Sequence, residues 1–541
     1  MEGLLKQTQG AVNAADLSKP LSPDLSRLAK SLDQTASTSV SLPSSVSYLL
    51  QEILVRIVEL LNIPYELGQE RNEDDEEDLE SITAAEQLSK SFINLSTPLL
   101  ELSISLVALL STPSDPPQSA ELSIRSDLFL AFSKFQQPSF SSQFTNSTLK
   151  SLSSNLLTLL LAPPHVRFPL LHHLLSRSFP SHFSPHPYLN PQTGRLLNRP
   201  LGGARGKDEW SESAEEGWKR EVGLNGTVLS VIRELKREEM EEVWHLVLPP
   251  LLSYLDDFTV KNKILGLSLL DTLLDRVEGG LLRRTGVGKV FEQSLNVIFS
   301  NLSDPLSPLL LSSAHPVALK LLRLVNPPPA PTTSITKDLQ SRSKAHFEAT
   351  CRLFETSIIK TWEFKSGNLT FELLTLDALL SGLIKEMMIE STIIRYFSLL
   401  VPHLTSLISP PQGELPWTEE TIELRGKAVK CFRMIGEGEN ERRRLRARWE
   451  DLLVSSIGKC WVGLEEDREV ERMRQEGEKI GELESELKGL VKLLTRGGKE
   501  RKEGERDFWK ELRELDPMFE ELFEVAGGDY LLDKDASCVD R

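Results

Sequence analysis

The sequence predicts an all-α fold, an α-solenoid of stacked antiparallel helix pairs with one irregular ordered insertion. Three observations carry this expectation. Leucine-rich segments with apolar residues at helical spacing recur almost throughout the chain. Alternating β-branched runs of the kind strands require are few. One segment, Val243–Asp275, holds two apolar stripes separated by a double proline and an aspartate pair.

Taken in chain order, residues 45–62 place Leu49, Ile53, Ile57 and Leu60 on one face and predict an amphipathic helix. The acidic run at 70–80 predicts a solvated loop. Residues 85–111 predict a helical pair hinged near Pro98; Glu101, Pro98 and Pro113 leave its apolar run too short and interrupted to span a bilayer. Segments 111–119 and 325–334 are proline-rich linkers. Residues 184–219 carry too much Pro and Gly for a helix. They include Tyr188, Trp210 and Trp218, apolar anchors that predict order against the repeats.

The central stretch is the most informative. Glu238–Leu255 predicts one helix, bent or restarted at Pro249 and Pro250. Asp256 and Asp257 follow. Then Val260, Ile264, Leu267, Leu270, Leu274 and Val277 form a second stripe. Aspartate ahead of such a helix suits its free N–H groups, so the pair predicts helix caps at a corner. Small residues at Gly266 and Ser268 allow close packing. Two antiparallel helices with a kink and an Asp corner are the pattern of a HEAT repeat. A weaker copy recurs at 396–409 and 419–437, with Pro402 in the first helix, Ile422, Lys427 and Ala428 in the second, and an enlarged corner at 410–418. Beyond Glu437 the chain is highly charged but still amphipathic, which predicts exposed helices of a terminal subdomain with a flexible break at 495–505. The resulting regions are 1–183, 184–219, 220–436 and 437–541.

Composition narrows the function. The chain has 541 residues and a net charge of −17, which disfavours binding to nucleic acid through phosphate contacts. Its four cysteines, Cys351, Cys431, Cys460 and Cys538, form no C-x-x-C pair, and the N-terminus shows no secretory pattern. A reduced, intracellular, soluble protein is the expectation. Asp256-Asp257 makes a poor catalytic pair, because adjacent residues at a helix start diverge and no His or Ser nearby completes a site. The segment 283–291 ends like a phosphate-binding loop but lacks the first glycine and has Val290 where a magnesium-binding hydroxyl belongs. His172, His173, His182 and His186 cluster in sequence, but Pro185 breaks any helical metal-binding face. No catalytic residue, cofactor or metal ligand is assigned.

Several of these residues resemble those of the Tti-two (Tel-two-interacting protein two) family. In that family a tryptophan precedes a Pro-Pro helix, an Asp-Asp corner and a second helix with Lys and Gly. Trp244, Pro249, Pro250, Asp256, Asp257, Lys263 and Gly266 match here, followed by Thr285, Gly286, Val290 and Phe291. Upstream, His186, Pro187, Gly194 and Arg195 resemble a family segment, and Trp218-Lys219 a Trp-Lys step. The resemblance is specific over about 180–330. It implies a non-enzymatic scaffold in the TTT complex with the Tti-one and Tel-two subunits. Through them it implies work with the ninety-kilodalton heat-shock chaperone on phosphatidylinositol-kinase-related kinases, TOR and the DNA-damage checkpoint kinases. Telomere maintenance, the ASTRA complex and a cytoplasmic and nuclear location come with the same implication. A different HEAT-type adaptor, in transport or trafficking, is the alternative.

Overall fold

The computed structural model describes residues 2–15, 30–32, 44–67, 79–110, 119–137, 144–162, 164–199, 217–329, 337–409, 416–466, 479–495 and 507–523. Among these residues the fold is all-α, and the one β feature is an isolated antiparallel bridge between Leu189 and Leu196. The chain forms two compact units, Met1–Ser294 and Leu295–Arg541. The division falls inside the stretch that the sequence treats as one central block. The acidic run at 70–78, Trp210 and the flexible break at 496–506 lie outside the described residues.

In the first unit the helices are α1 (Glu2–Asn13), α2 (Ser44–Leu60), α3 (Leu79–Leu109), α4 (Ser119–Ser133), α5 (Ser147–Leu161), α6 (Pro164–His173), the single turn α7 (Gly217–Arg220), α8 (Leu224–Glu234), α9 (Arg237–Leu255), α10 (Val260–Arg276), α11 (Gly279–Thr285) and α12 (Val287–Ser300), whose last residues cross the division. Most helices pack on the next or the next but one, as α2 on α3 and α4, α4 on α5 and α6, and α8 on α9 and α10, while α4 also packs on α8 across the 184–223 stretch. Contacts local in sequence are what a stack of helix pairs requires, since each pair can bury its apolar face only against its neighbours. The α10 stripe behaves accordingly: Val260, Ile264, Leu267, Leu270, Leu274 and Val277 are all buried. The α2 stripe is shifted, with Ile53 and Ile57 buried as expected beside Leu50, Leu54 and Leu61, while Leu49 and Leu60 are only half-buried.

Segment 85–111 differs from expectation. It is one helix, α3, running through Pro98, not a hinged pair. A proline removes one helical N–H, and burial of Leu95, Leu99, Leu100, Leu102 and Leu106 holds the turns on both sides in place. Uninterrupted, α3 is long and apolar enough to cross a membrane by length and composition, as is Ser307–Val325. Packing of α3 on α2 and α5 accounts for its apolar residues.

The second unit repeats the scheme with α13 (Ser307–Val325), α14 (Lys337–Phe354), α15 (Lys360–Phe364), α16 (Leu369–Ala378), α17 (Ile384–Met388), α18 (Phe397–Ile408), α19 (Glu419–Glu437), α20 (Glu439–Glu466), α21 (Lys479–Thr495), α22 (Phe508–Leu515) and α23 (Glu520–Phe523). The weaker copy of the corner is the pair α18–α19, packed together with Ile422 and Ala428 buried and Lys427 paired at the surface with Asp377 and Glu423. The charged C-terminal helices are not a separate exposed layer. Leu453, Ile457 and Trp461 of α20 and Leu483, Leu487 and Leu490 of α21 share one hydrophobic core with α16, α18 and α19. Their charges lie on outer faces, as in Lys430–Glu482 and Arg433–Glu486, each 2.5 Å apart. Cys351, Cys431 and Cys460 are buried free thiols, and burial pushes Cys460 up to about 12.

Gly266 sets the closest approach of α9 and α10. A Cβ there would lie 2.7 Å from the Leu255 backbone nitrogen and 3.0 Å from its Cα, so the helices would have to part. Gly266→Ala is expected to lower stability by about 1–3 kcal/mol, the cost of overpacking a tight contact. Urea denaturation measures it, and an unchanged midpoint would contradict the approach.

Candidate functional site

The residues shared with the family pattern are scattered over a hundred positions, yet His186, Trp218, Lys219, Asp256, Asp257, Lys263 and Gly266 meet at the corner between α9 and α10. Asp256 closes α9 as its C-cap residue, its N–H donating to Leu252 O. The N-cap of α10 is Thr259, whose side chain makes no cap bond. The aspartates are therefore not N-terminal caps of the second helix. Two further residues separate Asp257 from α10, too far for a carboxylate to reach the orphan N–H groups of its first turn in the usual way. Asp257 Oδ1 instead accepts from the Thr259 N–H at 2.8 Å and from Asn262 Nδ2 at 3.1 Å.

The pair acts as a knot between segments. Asp257 Oδ2 lies 2.5 Å from the Lys219 ammonium of α7, and the Asp257 carbonyl accepts from the Lys263 ammonium of α10. Asp256 Oδ1 accepts from Ser294 Oγ of α12 at 2.7 Å, and its Oδ2 is 3.4 Å from His186 Nε2. The Asp257 side chain is 4% exposed and that of Asp256 42%. Burial alone would push the Asp257 carboxyl up, but the bonds from Lys219, Thr259 and Asn262 outweigh it and hold it below the usual carboxylate range. Burial pulls the Lys263 ammonium down, against the pull of both aspartates.

The described parts of the 184–219 segment are ordered, but not through every residue expected. Leu189 is buried and Tyr188 is half exposed. Residues 188–197 close on themselves through Asn190 N–H to Arg195 O and Leu197 N–H to Tyr188 O, and the Leu196 N–H donates to Thr285 O at 2.9 Å. Gly194, at φ 62°, lies against Trp244 and His245, where a Cβ would be 2.8 Å from the Trp244 ring. Gly286, at φ 75°, ends α11 beneath Leu196. Trp218 is buried, its ring 4.5 Å from that of Tyr254. Phe291 and Trp244 are core residues, Pro249 and Pro250 lie inside α9, and Pro187 and Arg195 are exposed. Asn262, Ser294 and Tyr254 complete the arrangement and carry no sequence signal of their own. The next residue after the pair, Phe258, is 93% exposed.

This geometry holds segments together, and it corrects the expectation that no His or Ser lies near the aspartates: the fold brings both His186 and Ser294 to the Asp256 carboxylate. Among the described residues no group of three or more His, Cys, Asp or Glu is placed to hold a metal ion.

The two carboxylates are expected to differ in worth. Asp257→Asn removes the buried charge that pairs with Lys219 and should cost about 2–3 kcal/mol, less than a fully buried pair because Lys219 is partly exposed. Asp256→Asn should cost about 1 kcal/mol. Because the folded Asp257 value is depressed, its contribution is complete above the unfolded value near pH ~4 and lost as pH falls through the folded value. Denaturation midpoints of both variants against pH check this. Equal losses, or an acid dependence in Asp257→Asn as steep as in the wild type, would contradict the knot.

Comparison with known proteins bears on this region. No curated protein matches the sequence. Among solved structures, the crystal structure of Kap121p is similar at 10% identity and a TM-score of 0.27, over 96% of this chain and 57% of that one, so the chain spans little more than half the length of that protein. The model of the Tti2 family matches residues 128–414, more than half of the chain and the whole of the knotted corner; the chain belongs to the Tti2 family.

Proposed function

We propose that this protein is a non-enzymatic scaffold subunit of the TTT complex. The membership in the Tti2 family over residues 128–414 carries the reading. Its helix pairs present extended surfaces, and such surfaces bind partners over a wide area. In this reading the protein binds Tti-one and, through it, Tel-two. Together with the ninety-kilodalton heat-shock chaperone the complex supports maturation of the phosphatidylinositol-kinase-related kinases, in the cytoplasm and the nucleus. A partner that binds only the folded form of a marginal subunit stabilises it by mass action.

Acute depletion is therefore expected to lower the steady-state amounts of Tti-one and Tel-two, with transcripts unchanged. Newly made kinase should suffer more than kinase already folded. A pulse-chase measurement reads both. Normal maturation of new kinase with persistence of the other two subunits would overturn the assignment.

A further inference from the structure

In the second unit a pocket of about 430 Å³ opens between α13, α16 and α19. Its apolar wall includes Pro316, Leu369 and Leu373, and its charges are those of Asp377, Glu420, Glu423 and Lys427. The Lys427 ammonium lies 2.8 Å from carboxylate oxygens of both Asp377 and Glu423. Lys479 lies 3.2 Å from Glu423 as well. Glu420 is exposed and is the carboxylate of the lining that pairs with no cation among the described residues.

An independent feature is His315 of α13, which belongs to the lining and is 7% exposed. Its Nδ1 lies 2.8 Å from Leu311 O, one turn back on the same helix. A carbonyl only accepts, so Nδ1 carries the proton and donates. Burial pulls the imidazole down to about 4, so the ring is neutral and Nε2 is a lone-pair acceptor. That Nε2 is buried and makes no hydrogen bond among the described residues. The Nδ1 edge of the ring is turned to its own helix, which leaves the Nε2 edge for the pocket. The serine hydroxyls of the lining spend their protons inside their helices: Ser312 Oγ donates to Leu309 O and Ser381 Oγ to Ala378 O, each at 2.9 Å. What the pocket still offers is mostly acceptors, chief among them the Nε2 lone pair and the Glu420 carboxylate.

We propose that this pocket receives an arginine side chain of a partner protein. The observations select among the alternatives. An anion would face three carboxylates and one lysine already shared between two of them. A purely hydrocarbon side chain would leave Nε2 dry and unpaired. An ammonium is compact and strongly hydrated, and has to shed that water to approach a buried nitrogen. A guanidinium is planar, weakly hydrated and donor-only, with enough N–H groups for an imidazole nitrogen and a carboxylate together. Its methylene stem suits the apolar wall of Pro316, Leu369 and Leu373. Such an arginine need not belong to the complex proposed above.

The test uses the full chain at physiological ionic strength, which screens non-specific attraction between exposed charges. The probes are the N-acetyl amides of arginine, citrulline and lysine, together with spermidine, and binding is followed by ligand-observed NMR. Capped arginine is expected to bind about tenfold more tightly than capped citrulline, which has nearly the same shape without the charge, the worth of one charge-assisted hydrogen bond. It should also bind more tightly than capped lysine. Glu420→Gln changes an exposed residue, so it should keep the thermal midpoint while removing most of the preference for arginine. In the nitrogen NMR spectrum the His315 Nε2 resonance should move on arginine binding, as a lone pair that gains a donor requires. His315→Phe keeps a ring at the site without the acceptor and should weaken arginine binding about fivefold. If that variant fails to fold, the wild-type Nε2 resonance decides the same point. Equal binding of arginine and citrulline, preference for lysine, an arginine preference untouched by Glu420→Gln, or an Nε2 resonance that does not move would overturn the proposal. So would tighter binding of spermidine than of capped arginine, which would make the occupant a free polyamine. Binding seen only in Arg468→Gln/Arg472→Gln/Arg474→Gln would overturn it too, because the occupant would then be the chain's own segment ahead of Lys479.

Discussion

The buried carboxylate of Asp257 is the constraint on which the first unit's central region depends. A carboxylate at 4% exposure is costly unless it is paired and hydrogen-bonded. Here Lys219, the Thr259 N–H and Asn262 satisfy it, and its own carbonyl takes the Lys263 ammonium. Lys219 comes from α7, whereas Thr259, Asn262 and Lys263 all come from the start of α10. The corner between α9 and α10 can therefore adopt one geometry only if α7 and the start of α10 are already in place. Asp256 extends the same dependence to His186 and to Ser294 of α12. Polar satisfaction, not apolar area, selects this arrangement among the many in which leucine-rich helices could stack.

Helix pairs otherwise supply only local contacts. In the first unit most helices lean on the next one or two, α4 on α8 being an exception, and a stack of that kind is quasi-one-dimensional and prone to local opening. The 184–199 segment adds bonds of another kind. It ties Leu196 to Thr285, His186 to Asp256 and Gly194 to Trp244, linking positions tens of residues apart. Gly194 and Gly286 make this possible in one way, by adopting positive φ where a side chain would be strained. Gly266 makes it possible in another, by letting α10 touch the backbone of α9.

What was legible in the sequence follows from the kind of physics involved. Helical stripes are local and periodic, so α2, α9, α10, α18 and α19 could be read directly. The corner could be placed for the same reason, since two stripes must turn between them. The role of the aspartates could not. Capping is the common use of Asp before a helix, and only the positions of Lys219, Asn262 and Ser294 show that these two do something else. Pro98 misled because a proline's local effect is clear in sequence while the burial that keeps α3 whole is not. The charged C-terminal helices misled similarly: charge density conceals an inner face such as Leu483, Leu487 and Leu490 when partners are unknown. The residues of the family resemblance fared differently from one another. Gly194, Gly286, Gly266, Trp218 and the aspartates each have a packing or bonding reason, whereas Pro187 and Arg195 lie exposed with no structural account.

The two prolines of α9 bring these strands together. Inside a helix they cost two backbone hydrogen bonds, and a helix of this length flanked by α8 and α10 would gain stability without them. Asp256 and Asp257 already set the end of α9, so the prolines are not needed to terminate it. Nor does the core demand both, because Pro250 is buried while Pro249 is only partly so. Their remaining consequence is one of shape: both line the groove between α9 and the 179–194 segment, the same segment that His186 ties to Asp256. The knot and the prolines therefore act on one place, the first holding the segment against the corner and the second forming the helix face opposite it.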